Sequence, residues 1–237
     1  MKATYLRQAM YAFAMGDAFG VPYEFKDRDT YEVSSEMVGY QTHSQPKGTW
    51  SDDTSLTLAT INALFEPFDL KTVMGNFVDY LENGAFTPYG EVFDVGNGTS
   101  AAIKSYEETG DTGYFRPEDE LNNGNGALMR VWPVAFYEFD SDRTIEEISD
   151  ELTGLTDGHR RSRWASRFFI YFLRMMPRVQ NVERALDMAI RRSNRTAMET
   201  AALETEELGW LAITDEQSSA DIISRLKAMT RGEVPSS

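Results

Sequence analysis

An all-α fold, a compact single-domain helical bundle, is predicted by three features of this 237-residue sequence. Apolar residues recur at three- and four-residue intervals, strand-like alternation is nearly absent, and Gly- and Asn-rich connectors separate the periodic segments. Hydrophobic residues make up 41% of the chain and aromatics 12%, enough apolar surface to offset the entropy of ordering it. No internal repeat or low-complexity tract divides it, so residues 1–237 read as one domain with a flexible tail over 231–237.

In chain order, residues 4–20 carry Leu6, Ala9, Met10, Phe13, Ala14 and Ala18 on one helical face. Pro22 in Val21-Pro22-Tyr23-Glu24-Phe25 breaks that helix and starts a polar, acidic loop. Gly48-Thr49-Trp50-Ser51-Asp52-Asp53-Thr54 opens a second helix, with Leu56, Leu58, Ala59, Ile61, Ala63, Leu64 and Phe65 on its apolar face and Pro67 as its stop. Further helices are predicted over 69–82, 98–109, 126–139, 144–154, 160–176 and 181–191. The stretch 192–221 is polar, acidic and weaker in periodicity.

Charge narrows the function. With 38 acidic against 23 basic residues the net charge is −15, and such a field repels a nucleic acid duplex. A small anion remains admissible, because backbone N–H groups or a bound cation can reverse the sign inside a cleft. There is no cysteine, which removes disulfides, thiolate metal sites and a cysteine nucleophile, and fits a cytoplasmic address. Neither a signal-peptide run nor a bilayer-spanning stretch is present, so no membrane partner is expected.

Carboxylates offer the chemistry. Ser51, Asp52, Asp53 and Thr54 put four oxygen-bearing side chains in succession at a helix start. A helix N-cap accounts for Ser or Asp here and needs only one of them; the others either complement the helix dipole as first-turn residues or serve as oxygen ligands for a hard divalent cation. Glu24 can join the pair only if the first two helices are neighbours, while Asp17 suits bonds to loop N–H groups. Two Gly/Asn loops, one containing Gly96-Asn97-Gly98-Thr99 and the other Asn123-Gly124-Asn125-Gly126, each precede a helix and could cradle phosphate. Neither has a phosphate-loop lysine. Of the two histidines, His159 follows a glycine and His43 lies in a polar loop; no serine–histidine–acid arrangement is legible.

Taken in order, these segments resemble the ADP-ribosylglycohydrolase family. Residues 16–25 match its opening motif and residues 48–54 its metal motif, with Ser51 where threonine is usual. Residues 93–99 and 123–133 resemble its third and fourth segments. The resemblance implies one or two Mg2+ ions held by Ser51, Asp52, Asp53, Glu24 and, from a C-terminal motif, Asp215. It implies Glu24 and Asp53 as catalytic groups, with Gly96, Asn97, Gly98, Thr99, Asn123, Gly124, Asn125, Gly126 and His159 around ADP-ribose or an ADP-ribosylated protein.

Two departures stand out. Asp157 occupies the place of a ligand-facing histidine, and Gln217 the place of a second C-terminal aspartate, where glutamine offers one neutral oxygen instead of a charged ligand. The expected activity is a magnesium-dependent hydrolase that removes ADP-ribose from a protein side chain or small acceptor. The alternative is a catalytically weak relative that binds or sequesters ADP-ribose or a related nucleotide.

Overall fold

The computed structural model describes residues 2–27, 29–65, 68–113, 123–139 and 143–199, and among them it contains eight α-helices and no strand. These are α1 (Lys2–Gly20), α2 (Asp52–Ala63), α3 (Leu70–Asn83), α4 (Asn97–Thr109), α5 (Leu128–Val131), α6 (Ile145–Gly154), α7 (Arg160–Val179) and α8 (Val182–Glu199). The all-α expectation holds. The candidate ligand Asp215 and the tail 231–237 lie outside the described residues.

Helix α2 runs through the middle of the bundle and packs on α1, α3 and α5. Its burial explains its composition. Leu56, Ala59 and Ala63 join the core, while Ser55, Thr57 and Thr60 return their hydroxyls to carbonyls one turn back, so these three buried hydroxyls are satisfied within the helix. Thr57 also donates to the Met129 carbonyl at 2.7 Å, which ties α2 to α5. The predicted apolar face is correct at Leu56, Ala59, Ala63 and Leu64, but Phe65 points outward.

Around α2 the core continues through Val73, Met74, Phe77 and Tyr80 of α3, Ile103 of α4, and Ile148 and Leu152 of α6. Asp69 caps α3 through the Thr72 N–H, and Gly84 ends it in the left-handed region at φ 67°. A side chain at Gly84 would meet the Gly90 carbonyl oxygen at 2.1 Å, so glycine is required by space as well as by φ. A Thr144–Glu147 capping box opens α6. Helices α7 and α8 form a long hairpin, with Leu186 and Ile190 against Phe168 and Phe172.

The predicted continuous helix over 126–139 is instead α5 followed by a 3-10 turn over Trp132–Phe136. Pro133 lacks the N–H that an α-helix would use there. Pro22 acts similarly after α1, turning Val21–Tyr23 into a 3-10 segment that delivers Glu24.

Candidate active site

The start of α2 is capped from the end of α1. Asp17, in the last turn of α1, accepts from the Ser51 N–H at 3.0 Å, the Ser51 hydroxyl at 2.9 Å and the Thr54 N–H at 3.0 Å. Ser51 accepts in turn from the Asp53 N–H. Two neighbouring side chains thus satisfy the orphan donors of α2, and the carboxylates of Asp52 and Asp53 are released for other work. Asp52 is buried and uses Oδ2 to accept from the Gly96 N–H at 3.2 Å, drawing the start of α4 to the start of α2.

Glu24 arrives from the 3-10 turn. Its Oε2 lies 2.6 Å from His43 Nε2, and the same nitrogen lies 4.0 Å from Asp94 Oδ2. The imidazole packs against Phe25 and Phe93, with ring centroids 5.5 and 5.2 Å away. The Tyr80 hydroxyl donates to the Asp94 carbonyl at 2.6 Å, so α3 fixes the backbone of that loop. Glu24, His43 and Asp94 each offer a ligand atom, all within 4.8 Å of one another.

A cavity of 420 Å³ lies beside this group, lined by Ala12, Phe13, Gly16, Asp17, Gly20, Glu24 and Asp53. Burial, reinforced by the charges of Asp17, Asp52, Glu24 and Asp94, pushes the Asp53 carboxyl up to about 7. Burial and then Asp94 also raise Asp52, and burial lifts Glu24 against the opposing hydrogen bond to His43. Carboxylates held together this way ionise at the expense of one another unless a cation joins them. Oxygen donors with one imidazole suit a divalent metal ion, so the residues present fit such a group on their own chemistry.

The residues expected from the sequence are thus sorted by their surroundings. Glu24 and Asp53 share a cavity wall; Ser51 is turned to Asp17 and Asp52 to Gly96. The Gly/Asn loops adjoin: a side-chain carbon on Gly126 would sit 3.2 Å from Thr99 Oγ1. Thr99 is buried there, whereas Gly96, Asn97, Gly98, Asn123, Gly124 and Asn125 are exposed and Gly126 is half-buried. His159 is fully buried and caps α7, its Nδ1 accepting from the Arg161 N–H at 3.2 Å. Sequence reasoning missed His43 and Asp94 as members of the cluster. The position of Asp94 just ahead of the first Gly/Asn loop was a usable signal; His43 offered none.

A family model described as ADP-ribosylglycohydrolase matches residues 2–235. This chain belongs to the ADP-ribosylglycohydrolase family. The resemblance carried by the four sequence segments is therefore correct. The chain is 32% identical over 131 residues to the ADP-ribosylarginine hydrolase Tri1 of Pseudomonas putida (strain GB-1), covering 54% of this chain and 35% of that protein. It is 27% identical over 179 residues to the ADP-ribosylarginine hydrolase Tri1 of Serratia proteamaculans (strain 568), covering 75% of this chain and 48% of that protein. A solved structure, an ADP-ribosylglycohydrolase-related protein complex, superposes with a TM-score of 0.63 at 28% identity, over 78% of this chain and 60% of that one. The chain thus spans half or less of the length of these two curated relatives.

Proposed function

We propose that this ADP-ribosylglycohydrolase-family chain is a hydrolase that removes ADP-ribose from a modified side chain, with arginine as the acceptor. The observation that carries the reading is the meeting of Glu24 and Asp53 in one cavity, brought there by Asp17 and α2, with two Gly/Asn loops on adjoining elements. The acceptor follows from the two relatives, both named as ADP-ribosylarginine hydrolases. A cytoplasmic address and a single domain over 1–237 belong to the same proposal. No helix among the described residues is long and apolar enough to cross a membrane.

Bond cleavage consumes one water: its oxygen bonds to the anomeric carbon of the ribose, the carbon–nitrogen bond breaks, and the guanidine leaves with a proton. Glu24, oriented by His43, accepts the proton of the attacking water, and Asp53 orients that water from the cavity wall. Backbone N–H groups of the Gly/Asn loops other than that of Gly96, which Asp52 holds, bind the diphosphate. Ser51, Asp52, Asp53, Glu24 and Asp215, joined by Asp94 and His43, are the residues that would hold one or two magnesium ions. Bound there, magnesium would lower the pKa of the attacking water and stabilise the hydroxide character it gains as it adds to the anomeric carbon.

The test is release of free ADP-ribose from an arginine-ADP-ribosylated protein by the purified chain, with and without Mg2+. Magnesium-dependent release lost in Glu24→Gln supports the reading, and absence of release at any Mg2+ concentration contradicts it. The second reading, a binder with little turnover, is favoured by Asp157 and Gln217 standing where the resemblance expects a histidine and an aspartate. It predicts ADP-ribose binding without turnover, unchanged by Asp52→Ala.

A further inference from the structure

Arg130, at the end of the second Gly/Asn segment, is fully buried, and a guanidinium can only donate. Its Nη1 donates to the Leu152 carbonyl at 3.0 Å and its Nη2 to Thr156 Oγ1 at 2.6 Å. The Thr156 proton then goes to Asp157 Oδ2, 2.6 Å away. The direction of this chain is fixed: it starts on a cation and ends on a carboxylate. Burial pulls the Arg130 guanidinium down to about 10, opposed by the charge of Asp157.

The carboxylate is itself buried, at 6% exposure, and faces glycine backbone. A side-chain carbon at Gly124 would lie 2.2 Å from Asp157 Oδ1, and one at Gly126 would lie 3.1 Å from Oδ2. The hydroxyl of Ser162 in α7 donates to the Gly124 carbonyl at 2.7 Å. Residues 123–126 therefore rest between a hydroxyl that holds one carbonyl and a carboxylate that fills the space side chains would take. The exposed part of the segment is its backbone and Asn123 and Asn125.

We propose that Asp157 is a positioning residue: held by Thr156 and Arg130, it sets the backbone of residues 123–126 for the diphosphate and ribose of ADP-ribose and makes glycine obligatory at 124. Where the family resemblance expects a ligand-facing histidine, this chain holds a buried aspartate. The inference rests on the ADP-ribose reading of the site and adds to it the part that shapes the loop.

Its test is a double-mutant cycle on ADP-ribose affinity, measured by calorimetric titration of the full chain carrying Gly124→Ala, Asp157→Ala, or both. In the wild-type background the new methyl group collides with Oδ1, and affinity falls at least tenfold. With Asp157→Ala the colliding atom is gone, and the same methyl group changes affinity less than about threefold. Equal losses in both backgrounds overturn the inference, as does an Asp157→Ala chain with a lower melting temperature but ADP-ribose affinity within twofold of wild type. Should Asp157→Ala not fold, Asp157→Ser serves in the same cycle with the same two outcomes. A wild-type chain that turns over substrate while the cycle shows no coupling isolates the failure to Asp157; a wild-type chain that binds no ADP-ribose overturns both readings.

Discussion

Asp17 and Asp53 are both aspartates near one helix start, yet their surroundings give them opposite duties. Asp17 accepts three hydrogen bonds from Ser51 and Thr54 and so stabilises α2. Asp17→Ala leaves the Ser51 and Thr54 N–H groups without their acceptor and lowers stability by roughly 1–3 kcal/mol, read from chemical denaturation. Asp53 carries the penalty of a buried charge among like charges. Its folded pKa is raised, so its stabilising contribution is complete below the unfolded carboxyl pKa and is lost as pH rises through about 7. Asp53→Asn therefore raises the melting temperature of the metal-free protein at pH 8, a gain of roughly 1–3 kcal/mol. The same change lowers turnover at least a hundredfold by the order of a lost catalytic group. A variant less stable than wild type at pH 8 contradicts this account of Asp53. The acidic pair was legible in the sequence because adjacent aspartates exceed what a cap needs. His43 was not, because it lies 19 residues from Glu24 in an irregular loop, where no periodicity fixes which side chains meet.

At the scale of elements, most helices were legible wherever apolar spacing, a capping residue and a terminal glycine agreed, as in α3 with Asp69 and Gly84. Where these signals conflicted, the structure followed backbone chemistry: Pro133 turned the expected helix over 126–139 into α5 and a 3-10 turn. Helix α8 extends past residue 191 to Glu199 because burial of Ala189, Ile190 and Ser193 against α7 holds a polar stretch in helical form. Glu146 connects α6, α7 and α8. It accepts from the Tyr171 hydroxyl and from Arg192 Nη2 at 3.0 Å. Burial works to raise its pKa, but the hydrogen bonds from Tyr171 and Arg192 outweigh it and hold the carboxyl below its ordinary value of 4.5. The sign follows: this stability is present above the unfolded pKa and is lost as pH falls through the lower folded value. Melting temperature measured from pH 6 down to pH 3 falls less steeply in Glu146→Gln than in wild type; parallel curves contradict the linkage of these helices through Glu146.

For the whole molecule, a net charge of −15 and the carboxylates of Asp17, Glu24 and Asp53 on one cavity wall suit a cationic ligand. The family was legible from four ordered segments, and the match over residues 2–235 bears it out. The candidate cluster was not, because it draws Asp94 and His43 from loops, where no periodicity fixes which side chains meet. We propose that Glu24, Asp53 and their neighbours form one divalent-cation site. Titration of the full chain with Mn2+, followed by the loss of its free-ion electron paramagnetic resonance signal and competed with Mg2+, tests it most directly. Saturable binding of one or two ions, displaced by Mg2+ and weakened at least tenfold in Asp53→Asn, is the predicted result. Binding that is absent, or that is identical in wild type and Asp53→Asn, contradicts the account.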